Sequence, residues 1–503
     1  MRKKKLILNT VTSLINQVVT IICGFVLPRM ILINYGSEVN GLVSSIQQFL
    51  AVITFLEFGV GAVVQSALYK PLAQKDNEQI SKIISSANKF FRTLAKGMLV
   101  YVLFLLILYP LIVNDSFGIL YTDTLILAMS ISYFAQYFFG LKNQLLVIAD
   151  QRGYIHYGLN TIAIVLNNIL GVLLIVLGFD IQFVKLTTSI ILLLRPIFLE
   201  LYVHRNYQID KKIKYKDEPI TQKWNGVAQH IATVILNSTD TVVLTLFSTL
   251  SAVSIYNVYY LVVNGLRNLV ISLCNGPQAL IGNLLANKES SLLNKVFNVY
   301  ESIFHMSVTF VYGCASVLIV PFVQVYTLGV SDIDYKVPMF GYLICFANMA
   351  YCFRMPYNSI VNAAGHYKQT QNSAWMEMII NIVISVLLVI KFGLIGVAVG
   401  TLIAMLYRTF YMVWYLSKEI MYRRTIYFIK HFIIDIICVI LMLICSKFFI
   451  LSQITFYGWI LLAVKLSIIN LIICITCNFL MFRKELINYK LIVNKKPENK
   501  KLS

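Results

Sequence analysis

Charge is what this sequence lacks. Only 13% of its 503 residues are Asp, Glu, Lys or Arg, about half the ~25% share of a soluble domain. Acidic residues are the scarcer kind, 22 Asp and Glu against 42 Lys and Arg, for a net charge of +20. With 58% hydrophobic residues and a mean hydropathy of +0.76, this excludes a soluble enzyme and intrinsic disorder. Nine cysteines in so long a chain, all in or near apolar runs, exclude a disulfide scaffold. Cys474 and Cys477 have a redox spacing but sit in the last apolar run and read as packing. Six scattered histidines, such as His230 and His305, show no metal-ligand spacing and read as packing or interface residues. There is no Walker A motif and no Gly-x-Ser-x-Gly, so neither ATP hydrolysis nor acyl transfer is expected.

Long apolar runs are what the chain has. A membrane helix needs about 20 mostly apolar residues. Fourteen such runs are expected, the first at 7–33 and the last at 457–481. Three boundaries carry turn chemistry: Tyr35-Gly36-Ser37 after the first, Gly178-Phe179-Asp180 after the fifth, and Phe392-Gly393 between 373–390 and 392–416. The fourth, 124–141, has room to run on to Val147. Continuous runs such as Leu99–Ile112 argue for helices rather than membrane strands. The basic start Met1–Lys5 leads into a run too long for a cleavable signal and reads as a first span entered from the cytoplasm.

Lys and Arg collect in cytoplasmic loops. With the N-terminus inside, cytoplasmic segments hold 32 of the 42 basic residues, and the outer loops hold Lys336, Lys391 and Lys447. Both termini are therefore expected in the cytoplasm of a bacterial cell, in a multi-pass protein of its inner membrane. The charge excess is a topology signal that suits anionic lipid headgroups, and a nucleic-acid partner is not expected. The longest outer loop has about 11 residues.

Two stretches about 215 residues apart are alike. Asn143-Gln-Leu-Leu-Val-Ile-Ala149-Asp-Gln-Arg-Gly matches Asn358-Ser-Ile-Val-Asn-Ala-Ala364-Gly-His-Tyr-Lys. Each precedes an apolar helix with an asparagine (Asn167, Asn381), then a break at Gly178 or Gly393. Ser37-Glu-Val-Asn-Gly41 likewise sits like Leu250-Ser-Ala-Val-Ser254. The expected architecture is an all-α polytopic membrane protein of two six-helix lobes in pseudo-two-fold repeat, 1–215 and 216–424. Two extra membrane helices at 425–482 and a basic cytoplasmic tail at 483–503 follow. Parallel repeats with a site between them are a transporter signature.

Polar residues concentrate in spans one, two, seven and eight. Span one has Asn9, Ser13, Asn16 and Thr20 on one side; span seven has Gln229, Thr233, Asn237 and Asp240. Span eight carries Asn257, Asn264, Asn268 and Asn275, with Arg267 and Gln278 beside them, and span two carries Gln47, Thr54, Gln65 and Glu57. One or two such residues are interhelical glue; four striped helices fit a wet cavity better. Arg267, near mid-span, has no route to snorkel to the interface. Its two readings are a site for a bidentate oxyanion such as diphosphate and a structural salt bridge with Asp240 or Glu57. Arg354 is grouped with it, and Arg29 is a third candidate. Lys185, Arg195, Glu200, Glu377 and Arg408 lie near span ends, where long side chains snorkel. Asp435 and Lys465 are a weak candidate pair between the last two spans.

The sequence resembles the polysaccharide transporters of the multidrug/oligosaccharidyl-lipid/polysaccharide flippase superfamily over nearly its whole length. The resemblance rests on Pro28-Arg29 with Tyr35-Gly-Ser-Glu-Val-Asn-Gly41, on Phe55-Leu-Glu57-Phe-Gly59, and on Asn237-Ser-Thr-Asp240 with Val253-Ser-Ile-Tyr256. It rests also on the Asn358, Ala364-Gly-His-Tyr-Lys368, Asn381 and Phe392-Gly-Leu-Ile-Gly396 series. Val39-Asn40 and Glu57 depart from the family's usual aromatic and Asp. The resemblance implies a flippase that carries an undecaprenyl-diphosphate-linked oligosaccharide unit from the inner to the outer leaflet by alternating access, for capsule, O-antigen or another surface polysaccharide. Arg267, Arg354 and Arg29 would then hold diphosphate. Asn257, Asn264, Asn268, Asn275, Gln229, Asn237 and Asn16 would line the sugar cavity, and Asp240 and Glu57 are coupling candidates. No cofactor is expected beyond a proton or sodium gradient or the membrane potential. The expected partners are the polyprenyl-diphosphate-linked sugar and membrane lipids, with a polymerase and glycosyltransferases of the same pathway. A peptidoglycan-precursor flippase and a drug/cation antiporter of the same superfamily are the alternatives. A polymerase is disfavoured because it needs a large catalytic outer loop.

Overall fold

The structure, a computed structural model, describes residues 2–493 apart from 58–59, 114–116, 211–212, 214, 216, 221–226, 287–288 and 452. Every described regular element is helical. In chain order they are α1 (Arg2–Ala51), α2 (Val60–Gln74), α3 (Asn77–Val113), α4 (Ile119–Ala135), α5 (Leu141–Ala149), α6 (Gly153–Val176), α7 (Ile181–Leu192) and α8 (Leu194–Asn206). They continue with α9 (Val227–Phe247), α10 (Leu250–Ala286), α11 (Ser290–Tyr326), α12 (Pro338–Phe353), α13 (Met355–Ala363), α14 (Tyr367–Tyr415), α15 (Ile426–Ser446) and α16 (Phe456–Val493).

Among the described residues, nine helical segments are long and apolar enough to cross a membrane. One of them, Lys368–Ile420, contains two expected spans, and another, Ile7–Thr54, contains the first and the opening part of the second, 41–68, which continues past the tight turn at Val52–Glu57 into α2. α1 is two helices joined end to end across a kink at Gly36, whose φ of 84° is left-handed. α14 does the same at Gly393, with φ 53°. Only glycine takes such a φ without penalty, which is why those two positions mark the breaks. Divided there, nine become eleven. α9, α10 and the interrupted pair α12–α13 account for the other three of fourteen. The fourth span does run on past its expected end, through a wide turn at Gln136–Gly140, to Ala149.

The repeat is visible in the backbone. After α5, Asp150 N–H donates to Leu146 O, Gln151 to Ile148 O and Arg152 to Val147 O. After α13, Ala364 donates to Ile360 O, Gly365 to Asn362 O and His366 to Val361 O. Each pair of donors is 214 positions apart, and the middle residue is left-handed in both (φ 57° at Gln151, 74° at Gly365).

The chain divides into two compact units, Met1–Ser254 and Ile255–Ser503. In the first, a core of Ile, Leu and Val from α1–α8 surrounds Phe91 and Tyr109. α9 packs on α1 within this unit. The segments aligned as repeat equivalents touch: Asn40 Nδ2 donates to Ser254 Oγ at 2.7 Å, and the Ser45 and Thr245 hydroxyls are 2.7 Å apart. Between them Gly41 leaves no room. A Cβ there would lie 1.9 Å from the Leu250 carbonyl oxygen. In the second unit, α12 packs on α14, and α11 on α12, α15 and α16. Gly396 and Gly400 let the two arms of α14 close on Leu388 and Ser385.

Gly41→Ala is expected to lower the melting temperature of the purified protein, at an overpacking cost of at least about 1–3 kcal/mol. Gly24→Ala, on the same helix with nothing within 4 Å of the added methyl, is expected to leave it unchanged or raise it. Equal melting of the two variants would disprove the close approach.

Candidate functional site

The densest buried charge of the second unit lies where α10, α12, α13 and α14 meet. α12 stops at Phe353 and α13 begins at Met355, with Pro356 in its first turn. Proline there has no N–H to offer and cannot continue the earlier helix. Arg354 sits at this joint and is 3% exposed. It pairs with Glu377 Oε1 on α14. The other carboxylate oxygen takes Arg408 NH1, from the returning arm of α14, at 2.6 Å. Glu377 is 1% exposed. One carboxylate thus holds two guanidinium groups.

Arg267 joins the cluster through aromatic rings. Its guanidinium lies 5.1 Å from the centre of the Tyr351 ring, and that of Arg354 lies 4.3 Å from the same ring. Arg267 NH2 donates to Tyr260 OH at 3.0 Å and to Asn264 Oδ1 at 2.8 Å, both one or two turns back on α10. It is 8% exposed. Among the described residues of its unit, no carboxylate is within ion-pair distance of it. Among the described residues, three guanidinium groups against one carboxylate leave the cluster two positive charges in excess. Cation–π contacts offset part of the desolvation cost and neutralise nothing.

Other candidates fall elsewhere. Asn257 is half-buried and Asn268 exposed on α10; the side chains of Asn275 and Gln229 lie outside the described residues. Asn237 is half-buried and Asp240 buried on α9, in the first unit. Arg29 is half-buried on α1, next to Pro28. Glu57, closing a tight turn at Val52–Glu57, accepts from Tyr137 OH at 2.8 Å. Asn16 Oδ1 accepts from Asn160 Nδ2 at 2.8 Å and Thr161 Oγ1 at 3.2 Å, and Asn9 receives Tyr154 N–H at 2.7 Å. That part of the stripe of α1 ties it to α6.

Three sequence expectations are corrected. Glu377 and Arg408 do not snorkel. α14 begins at Tyr367, so Glu377 lies nearly three turns inside it, and Arg408 reaches inward to the same carboxylate. Arg195 does not snorkel either. It donates to Asn160 Oδ1 at 2.7 Å and to Gln136. Asp435 does not pair with Lys465, which is exposed; it receives Thr309 and faces His305 on α11. Sequence reading missed the role of Glu377 because its distance to two arginines depends on tertiary packing. The one available signal was its isolation as a carboxylate inside an apolar run.

The first unit repeats the cluster with one arginine and no carboxylate. Gln136, Asn160 and Arg195 occupy nearly the same places as Arg354, Glu377 and Arg408, offset by 218, 217 and 213 positions. One arginine there is held by two neutral amides.

Glu377→Gln is expected to destabilise the protein by about 3–5 kcal/mol, because it strands buried guanidinium groups. Arg267→Gln removes a charge that no carboxylate of its unit answers and is expected to leave thermal melting nearly unchanged. Thermal unfolding of both in one detergent checks the contrast, and a reversed order of stabilities would refute the assignment of partners.

No family model and no curated protein matches the sequence. Solved structures do. The lipid II flippase MurJ in an inward closed conformation is similar over 97% of this chain and 100% of its own, with TM-score 0.69 and 14% identity. An inward-facing multidrug resistance MATE family transporter of the MOP superfamily is similar over 80% and 95%, with TM-score 0.62 and 14% identity. The Vibrio cholerae MATE transporter VcmN in its bent form is similar over 82% and 96%, with TM-score 0.56 and 14% identity. At such identities the likeness is one of fold.

Proposed function

Starting from a chain with the fold of MOP-superfamily transporters, we propose that it is a flippase for a sugar unit carried on a polyprenyl diphosphate. It would move this lipid from the inner to the outer leaflet of a bacterial cytoplasmic membrane, by alternating access, for surface-polysaccharide assembly. The observation that carries the reading is the excess of two positive charges around Tyr351. Guanidinium groups stay charged at any physiological pH and bind phosphate oxygens bidentately. A buried cationic cluster without enough carboxylates is complementary to an anionic headgroup, and poorly suited to a cationic drug. This argues against the antiporter alternative. So does the likeness to MurJ, which extends over α15 and α16, whereas the MATE structures match about four-fifths of the chain.

In this reading Arg267 and Arg354 hold diphosphate, with Arg29 as a further contact, and the asparagines of α10 meet sugar hydroxyls. Asp240 and Glu57 serve coupling to a proton or sodium gradient, or the reaction runs on membrane potential. A polymerase and glycosyltransferases are the pathway partners, and both termini face the cytoplasm. A second reading, flipping of a peptidoglycan precursor, is favoured by one observation: the structure similar over the whole chain is that of a lipid II flippase.

The test is flipping in proteoliposomes of a fluorescent polyprenyl-diphosphate sugar, scored by its accessibility to a membrane-impermeant quencher. Arg267→Gln is expected to cut the rate at least about tenfold, equivalent to about 1.4 kcal/mol of lost binding, with Arg267→Lys between it and the wild type. Full activity of the folded Arg267→Gln protein would overturn the diphosphate site. Transport of lipid II in preference to other sugar units would select the second reading.

A further inference from the structure

A second buried polar group lies in the C-terminal unit, away from the arginines. It joins α11 to α15, the first of the two helices beyond the repeat. His305 on α11 is fully buried, and its Nδ1 is 2.6 Å from Asp435 Oδ2 on α15. The other Asp435 oxygen accepts from Thr309 Oγ1 at 2.6 Å. The surroundings are aromatic. Phe353 stacks on His305 at 4.6 Å, and Phe428 meets it edge-on at 5.5 Å. His431 lies 5.2 Å from His305, stacks on Phe482 at 3.8 Å, and has Nε2 3.2 Å from Ser302 Oγ. His305 Nε2 and His431 Nδ1 are buried, with no hydrogen-bond partner among the described residues.

Charge conservation decides what this group can do. A net charge in such a setting costs several kcal/mol. An ionised Asp435 is answered only while His305 carries its second proton. The other neutral arrangement places that proton on the carboxylate itself. Either way the pair holds one proton more than a carboxylate facing a neutral imidazole. Removing it leaves a carboxylate that keeps its two hydrogen bonds but has no neutralising charge among the phenylalanines. That state is relieved by admitting water, which means parting α15 from α11.

The neighbouring charges do not substitute for the proton. Glu301 on α11 is neutralised by Arg423, 2.5 Å away in the segment before α15, and it accepts from Tyr357 OH on α13. Tyr357 and, on α15, Cys438 are neutral near pH 7. α12 and α16 contribute Phe353 and Phe482. His431 is the other imidazole packed here, and it faces Ser302.

We propose that His305 and Asp435 form a proton-binding site that locks α15 onto α11, so that proton release frees the C-terminal helix pair. Linkage makes this reciprocal: freeing α15 by any other means expels the proton. The site names the proton as coupling ion for the proposed flipping, and it rests on that reading only in this respect.

The test is amide hydrogen exchange of α15 in full-length protein in lipid nanodiscs, from about pH 5 to about pH 9, corrected for the intrinsic pH dependence of exchange. The expected result is that wild-type protection falls about tenfold or more as pH rises, within the 5–150-fold range typical of site coupling. Asp435→Asn, a neutral isostere of the protonated state, is expected to stay protected at every pH. His305→Gln supplies a second variant should Asp435→Asn fold poorly, and is expected to abolish the pH dependence. Protection constant with pH in the wild type, or a pH dependence kept by the variants, would overturn the proposal. In parallel, quencher-scored flipping is driven by an imposed pH gradient. A pH-dependent α15 in a protein that flips no polyprenyl diphosphate supports the proton site and refutes the flippase reading.

Discussion

A guanidinium group buried in a membrane protein is costly unless an anion or well-placed hydrogen-bond acceptors answer it, and the C-terminal unit is arranged around a partial answer. Among the described residues, Glu377 is the carboxylate paired with Arg354 and Arg408, and Arg267 meets hydroxyl, amide and ring faces of its own unit. Tyr351 is the hinge of the arrangement, because two guanidinium groups share its ring. Placing Arg354 there requires the chain to break between α12 and α13. Interrupted helices are tolerated at membrane depth only where protein buries the freed backbone. Here α11 and α14 pack on both sides of the joint, and Phe353 and Tyr357 are almost fully buried.

The same scaffold appears twice with different chemistry. The loops after α5 and α13 turn through matched hydrogen bonds, and a polar triad joins three helices at matching depth in each unit. In the first unit amides satisfy one arginine. In the second a carboxylate is shared between two. Backbone symmetry is therefore a property of the fold, and the buried charge belongs to one copy. A function needing an anion site would be expected to depend more on the second copy than on the first.

How much was legible in the sequence follows from which signals are local. Span lengths are carried by hydropathy, and the breaks at Gly36 and Gly393 by residues that alone tolerate a left-handed φ, so the helix order and the repeat could be read directly. Partnerships between helices could not. Glu377 looked like a snorkelling residue because the expected span edge fell at 373, six residues after the helix actually starts, and Arg408 because it lies near the expected edge at 416. Asp435 was matched with Lys465 by charge, whereas its partner is a histidine that looked like packing. Asn16 lies on the polar stripe as read, but a helical stripe shows that a face is polar, not that Asn160 and Thr161 would meet it. Arg267 and Arg354 were grouped from sequence, and they do share a ring. Their link through Tyr351 was not visible, since aromatic residues are common throughout the chain.

The two buried groups of the C-terminal unit differ in the one respect that matters for transport. Arginine does not lose its proton, so the cluster around Tyr351 can be neutralised only by something that enters and leaves. The His305–Asp435 pair can be neutralised by a proton, so its charge changes without a ligand. They share a frame. Phe353 stacks on His305, and the next residue, Arg354, holds Glu377. A displacement of α15 that unstacks His305 from Phe353 would act on the α12–α13 joint where Arg354 is fixed. Under the two proposals together, an anion held by Arg354 and a proton held by His305 and Asp435 would act on opposite sides of one contact, the Phe353 ring stacked on His305.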